Sequence, residues 1–185
     1  VKGTDALLIH VKKCFASLFN VETVKRYLAK KEENFKIAVV IQKMVEGDRS
    51  GVIYSSNDSE EIFVNAIWGL GEGLNVKDIV PDQYVLSKEL EILDKKINEK
   101  GWGVIRDASG SLKKIKLTPE RSSCQVLADY EIQRLGDLSE KIESHFSSPQ
   151  EIEFVGRDDI CVVQTRDINL DNKNKVGEET EDKKI

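Results

Sequence analysis

The sequence predicts an α+β fold, and three observations predict it. Apolar residues recur at three-and-four spacing in one stretch near the amino terminus and in another before the last hairpin, as amphipathic helices require. Between those stretches the pattern changes to short β-branched and aromatic runs punctuated by Gly, Asn and Asp. A final pair of alternating runs flanks a charged turn. The expected architecture is a mixed, mainly antiparallel sheet packed against helices.

Each element follows from its own residues. Leu7, Leu8, Val11, Cys14, Phe15, Leu18 and Phe19 share helical spacing, which predicts two linked helices from about Ala6 to Lys30, broken near Asn20. From Phe35 the runs FKIAVVIQKMV, GVIYSSN, EIFVNAIWG, DQYVLSK, EILDKKI and LKKIKL each suit a strand. A third helix is expected from Pro119, clearest over Gln125 to Phe146, where Val126, Leu127, Tyr130, Ile132, Leu135, Leu138, Ile142 and Phe146 form an apolar face. EIEFVGRDDICVVQTRD, residues 151–167, closes the sheet as a hairpin. The segment after Asp167 has too little apolar content to offset its ordering entropy and reads as a disordered tail or linker. The organisation is therefore a helical segment over 1–34, a main subdomain over 35–168 and a tail over 169–185.

Composition bounds the function. The chain has 185 residues, 39% hydrophobic and 33% charged, which describes a soluble domain with a sizeable core. No long apolar run, leader or lipidation motif is present, so the expectation is a cytoplasmic protein with no membrane partner. A net charge of -5 gives no general footprint for nucleic acid, although small anions could bind locally. Cys14, Cys124 and Cys161 are odd in number, widely spaced and set among apolar neighbours, as expected of buried free thiols.

The closing hairpin carries the chemistry. Alternation puts Glu151, Glu153 and Val155 on one face and Ile152 and Phe154 on the other, while Val162, Gln164 and Arg166 share a face opposite Cys161, Val163 and Thr165. A four-residue turn at Gly156 to Asp159 would set Glu151 opposite Gln164, with Glu153 diagonal to it. Carboxylate and amide oxygens suit a hard cation such as Mg²⁺, which shares its shell with water and substrate phosphates. A neighbouring guanidinium would hold phosphate oxygens in a bidentate fork. The same pattern also describes a solvated sheet face with cross-strand pairs such as Glu151 with Arg166.

Four segments go further: AVVIQKMVEGDRSGVIYSSN at 38–57, AIWGLGEGLNVKDIVPDQYVLSK at 66–88, IESHFSSPQEIEFV at 142–155 and VVQTRDI at 162–168. In order and spacing they resemble the nucleotide-binding domain of phosphoenolpyruvate synthase (pyruvate, water dikinase) and pyruvate phosphate dikinase, of the ATP-grasp superfamily. The resemblance implies that Glu153 and Gln164 bind Mg²⁺ with the ATP phosphates and that Arg166 contacts those phosphates as the catalytic residue. It also implies that Gln42, Lys43, Met44 and Val45 form a strand-to-linker segment that pairs with the adenine edge and sandwiches the ring. Gly51 is expected to serve through its backbone freedom. Glu72, in WGLGEG, is a second candidate near the metal, and Pro81, Asp82 and Tyr84 match a segment expected to be structural. His10 and His145, on predicted helices, are also read as structural.

The resemblance has departures. Asp167 stands where the family usually has proline, beside the arginine; Ser147 replaces a glycine after the helix; and Glu151 replaces an aspartate. The family's working unit also needs an amino-terminal ATP-grasp half with a lysine and an arginine, a phosphohistidine domain and a pyruvate-binding barrel, so the isolated chain is expected to be inactive alone. Two functions stay open. One is the MgATP-holding part of a dikinase that passes phosphoryl groups to a histidine and then pyruvate, with rifampin phosphotransferase and glucan, water dikinase sharing the domain. The other is a non-catalytic or degenerate nucleotide-binding or interaction module.

Overall fold

A computed structural model describes residues 1, 3–29, 36–56, 61–108 and 110–168, and the tail proposed for 169–185 lies outside them. Two compact units are present: Val1–Met44 with Ala108–Ser111, and Val45–Asp107 with the residues from Leu112 onward.

In the first unit, α1 (Thr4–Ala16) runs into a short 3-10 turn and then α2 (Val21–Ala29). The break falls at Asn20, as its sequence suggests, because the Asn20 Oδ1 accepts the Thr23 N–H at 2.7 Å and caps α2. The predicted apolar face of these helices is largely open: Leu8, Phe15 and Phe19 are exposed, and Leu18 alone among the described residues of this stretch is buried. The strand expected over 35–45 does not form in its described part. Residues 36–47 carry no regular secondary structure, and Val40, Ile41 and Met44 are exposed. An apolar run becomes a strand only where a neighbouring ladder takes its backbone groups.

The second unit holds a six-stranded sheet in the order β4-β3-β2-β1-β7-β8, with β1 Arg49–Tyr54, β2 Ile62–Trp68, β3 Asp82–Leu86, β4 Ile92–Lys96, β7 Gln150–Gly156 and β8 Ile160–Asp167. All five neighbour pairings within it are antiparallel. A separate hairpin pairs β5 (Trp102–Arg106) with β6 (Leu112–Lys116). The β5 run was not among the expected strands, since its glycine-flanked Trp-Gly-Val reads locally as a turn. Gly69 (φ 92) joins it to the main sheet through an isolated parallel bridge with Val104, in a conformation and at a closeness that only glycine accepts.

One face of the sheet is the core. Ile53, Ile62, Val64, Ala66, Tyr84, Leu86, Ile152 and Phe154 pack with Val126, Leu127, Ile132 and Leu135 from the helical segment. That segment is two helices, α3 (Pro119–Ser123) and α4 (Asp129–Phe146), rather than one. The interruption has a local cause: the Val126 N–H donates to the buried Asp82 carboxylate at 2.9 Å and the Leu127 N–H to the Tyr84 hydroxyl at 3.3 Å. Those donors are withdrawn from a helical ladder, and the two side chains enter the core in extended form. α4 restarts at Ala128, whose N–H is taken by the Glu131 carboxylate at 2.9 Å, and Glu131 also accepts from Arg49 of β1 at 2.5 Å. It ends at Ser147 in the left-handed conformation (φ 57), which explains why glycine suits this position.

Asp82 is the hub beneath β3. Its carboxylate accepts from Lys100 at 2.5 Å, from the Asn98 N–H at 3.0 Å and from the Tyr84 hydroxyl at 3.2 Å, and Lys100 and Asp82 are both fully buried. A buried pair is tolerated when its remaining hydrogen-bonding capacity is filled in this way. Gly51 also proves to be a packing residue. Its backbone is not left-handed, and a Cβ there would enter the ring of Phe154.

Candidate functional site

The face opposite the core is set by register. Because Ile152 and Phe154 point into the core, Glu151, Glu153 and Val155 of β7 point to the other side, and all three are half-buried. Strand β8 is shifted relative to the simple four-residue turn. Gly156 pairs with Ile160, Phe154 with Val162, and then a one-residue irregularity at Val163 brings Glu153 opposite Gln164 and Glu151 opposite Arg166. The turn is three residues, 157–159, rather than four, and it moves Val162 to the Phe154 side and puts Cys161, opposite Val155, on the Glu153 face. The bulge then returns Gln164 and Arg166 to that face, so that Glu151 meets Arg166 and not Gln164.

This geometry brings together Glu153, Gln164 and Arg166. The Arg166 guanidinium donates to Glu151 at 2.5 Å, and this bond, with the Glu151 and then the Glu153 charge, holds the arginine proton above its ordinary range. Tyr54, opposite Glu151 on β1, completes the group. Burial, with the Glu151 charge adding to it, pushes the Tyr54 phenol up, while Arg166 pulls it down. The cross-strand ion pair considered from sequence is thus present, and it involves the same arginine as the proposed phosphate contact.

Asp167 does not crowd that arginine. It alternates to the other face, where its carboxylate accepts from Gln150 Nε2 at 2.5 Å and from Ser148 Oγ at 2.8 Å, which holds it below the usual carboxylate range. Gln150 in turn accepts from Thr165 at 2.8 Å, tying the two strands together at this end.

The remaining candidates fall in both units. Val45 opens the second unit, and nearby Gly47 lies against Val155, where a Cβ would collide with that side chain. Gln42, Lys43 and Met44 belong to the first unit. Glu72 sits on a 3-10 turn, Gly71–Asn75, that packs against β1 and β7; its carboxylate is exposed and lies 3.9 Å from Arg106. Cys14, Cys124 and Cys161 are exposed rather than buried: Cys14 is on α1, Cys124 in the connection between α3 and α4, and Cys161 on the side of β8 away from the core. Sequence reading passed over Asn65 and Gln83, which stand on the Glu153 face of β2 and β3. Their signal is the phase of EIFVNAIWG, where Asn65 is out of step with Ile62, Val64 and Ala66 of the main core; Ile67, in step with Asn65, is buried in a second cluster with Leu70, Ile79 and Val104.

Whether these residues fit a metal can be tested by the donor set. Among the described residues no group of three or more His, Cys, Asp or Glu side chains could hold a metal alone. Glu153 with Gln164 supplies one carboxylate and one amide oxygen. That set fits a hard cation that arrives with phosphate ligands and water, and does not fit a protein-only cage.

The same sequence matches, over residues 1–185, the family described as pyruvate phosphate dikinase, AMP/ATP-binding domain. The chain belongs to this family. It is 36% identical over 98% of its length to a probable phosphoenolpyruvate synthase of Archaeoglobus fulgidus and 33% identical over 98% to the phosphoenolpyruvate synthase of Pyrococcus furiosus. It is also 33% identical over 91% of its length to a rifampicin phosphotransferase of Bacillus cereus. The chain spans 25%, 24% and 20% of the lengths of these three relatives. Among the described residues no helix is long and apolar enough to cross a membrane.

Proposed function

We propose that the open face of the sheet holds MgATP, in an ATP-grasp arrangement, for a phosphoenolpyruvate synthase-like dikinase. The observation that carries this reading is the direct pairing of Glu153 with Gln164, with Arg166 two residues on, on the half-buried face that the core leaves free. Glu153 and Gln164 are the residues that would hold Mg²⁺. The cation, when bound, neutralises phosphate charge and orients the phosphates.

The chain's own share is positioning. Arg166 exchanges Glu151 for phosphate oxygens and supplies a forked, charge-assisted contact as negative charge redistributes on the transferred group. Gln42, Lys43, Met44 and Val45 are assigned to the adenine edge; within the second unit, Gly47, two residues beyond Val45, packs against Val155 of the Glu153 face, which supports that reading. The helices of residues 1–34 are assigned to the neighbouring subdomain. The other ATP-grasp half, a phosphohistidine domain and a pyruvate-binding domain complete the cytoplasmic enzyme, in which the phosphoryl group passes to histidine and then to pyruvate. Similarity to rifampicin phosphotransferase at 33% identity supports one alternative, the same nucleotide chemistry with a different final acceptor.

The test is calorimetric titration of the full-length protein with ATP, with and without Mg²⁺. Binding is expected to depend on the metal and to weaken about tenfold or more in Glu153→Gln, as loss of a charge-assisted contact implies. Equal affinity in wild type and variant would remove the assignment.

A further inference from the structure

The row containing Gln164 and Glu153 continues across the sheet. Glu153 faces Val52, Val52 faces Asn65, Asn65 faces Gln83, and Gln83 faces Lys96. All six side chains therefore belong to the face that the core leaves free. With strands about 4.8 Å apart, Asn65 stands about 10 Å from Glu153 at the level of Cα, and only the aliphatic Val52 lies between them.

Asn65 and Gln83 are half-buried, and Gln83 Nε2 contacts Asn65 Oδ1 at 3.5 Å. That contact occupies the acceptor end of the Asn65 amide and leaves its Nδ2 group as a donor. Among the described residues Gln83 is the side chain that bonds this half-buried amide, so its N–H donors are left to water or a ligand. Chemically the row is divided. One wall, Glu153 with Gln164, presents oxygens suited to a cation; the other, Asn65 with Lys96 beyond it, presents N–H donors suited to anionic oxygen. Val52 forms a floor that competes for neither.

We propose that Asn65, oriented by Gln83, is a further nucleotide contact, donating from Nδ2 to a phosphate oxygen across the Val52 floor from Glu153. The assignment rests on the MgATP reading of this face. Asn65 then determines the affinity for the polyphosphate and not for the nucleoside, and Gln83 is a positioning residue that acts through it.

The experiment compares MgATP and adenosine binding to the full-length protein by calorimetry, for wild type, Asn65→Asp, Asn65→Ser, Gln83→Leu and Glu153→Gln, with circular dichroism to confirm folding. Asn65→Asp keeps an acceptor for Gln83 but sets a negative charge against phosphate. It is expected to weaken MgATP about tenfold or more while leaving adenosine unchanged. Gln83→Leu should weaken MgATP by a smaller factor, again without touching adenosine. Asn65→Ser, the smaller change, carries the test if the aspartate variant does not fold. The proposal is overturned if the Asn65 variants bind MgATP like wild type, or if MgATP and adenosine weaken by the same factor, the mark of a purely structural role. Loss in Glu153→Gln alongside unchanged Asn65 variants sinks this proposal and leaves the MgATP reading standing. Unchanged binding in Glu153→Gln sinks that reading and this proposal with it.

Discussion

Arg166 and Glu151 form a 2.5 Å ion pair across β7 and β8, with the arginine side chain 62% exposed and the glutamate 17% exposed. An exposed pair of this kind contributes at most about 1 kcal/mol to stability. In the proposed nucleotide site the same guanidinium would meet phosphate oxygens in a bidentate fork, a contact of fixed geometry that contributes more to binding than the ion pair does to folding. Arg166→Ala should therefore unfold close to wild type in urea, yet bind MgATP about tenfold or more weaker. A variant that loses stability and keeps its nucleotide affinity would show that the pair is only a strand clamp.

The buried pair beneath β3 should behave in the opposite way. Lys100 and Asp82 are wholly inaccessible, and Lys100→Met would leave the Asp82 carboxylate with the Asn98 and Val126 N–H groups and the Tyr84 hydroxyl but no counter-charge. Removing one partner of such a pair costs about 3–5 kcal/mol. Denaturant unfolding of Lys100→Met should show a loss of that size. A change below about 1 kcal/mol, the scale of an exposed pair, would mean that the other three donors suffice.

These two pairs also show what was legible in the sequence. Strands β1 to β4 and the α4 helix were readable because their period is local, and the face carrying Glu151 and Glu153 followed from the alternation of β7 alone. Its partner face on β8 was misread in part, because the turn takes three residues rather than four and so exchanges the faces of Cys161 and Val162, and nothing in Val162-Val163 announces the bulge that keeps Gln164 and Arg166 on the Glu153 face. The Asp82–Lys100 pair was invisible for another reason. Its partners are separated along the chain, and only the fold brings the lysine under β3. The division of the long helix likewise depends on Asp82 capturing the Val126 N–H.

Alkaline pH should expose the same network. Burial and the Asp82 charge push the Tyr84 phenol well above its ordinary value of 10.0. The folded state thus favours the neutral phenol, and its contribution to stability is fully present below the unfolded value and is lost as pH rises toward the folded one. Absorbance titration should show one tyrosine fewer ionising in Tyr84→Phe at the alkaline unfolding step, and the wild-type stability should fall more steeply above about pH 10. Parallel stability curves for the two proteins would place Tyr84 outside the alkaline transition.

Cys161 offers a direct probe of the corrected register. The three-residue turn puts it opposite Val155, on the Glu153 face and beside the point where Gly47 approaches, and the thiol is exposed. If nucleotide covers this face from the Val45 end to Arg166, saturating MgATP should slow alkylation of Cys161 by iodoacetamide several-fold. Cys124, exposed in the connection between α3 and α4, serves as the internal reference and should react at an unchanged rate. Peptide mass spectrometry separates the two sites. Protection of Cys161 that disappears in Glu153→Gln would join the thiol, the Glu153–Gln164 pair and the nucleotide on one surface; an unaltered Cys161 rate with nucleotide bound would put the ligand elsewhere, because a nucleotide lying from the Val45 end to Arg166 would pass over this thiol and slow the reagent's approach.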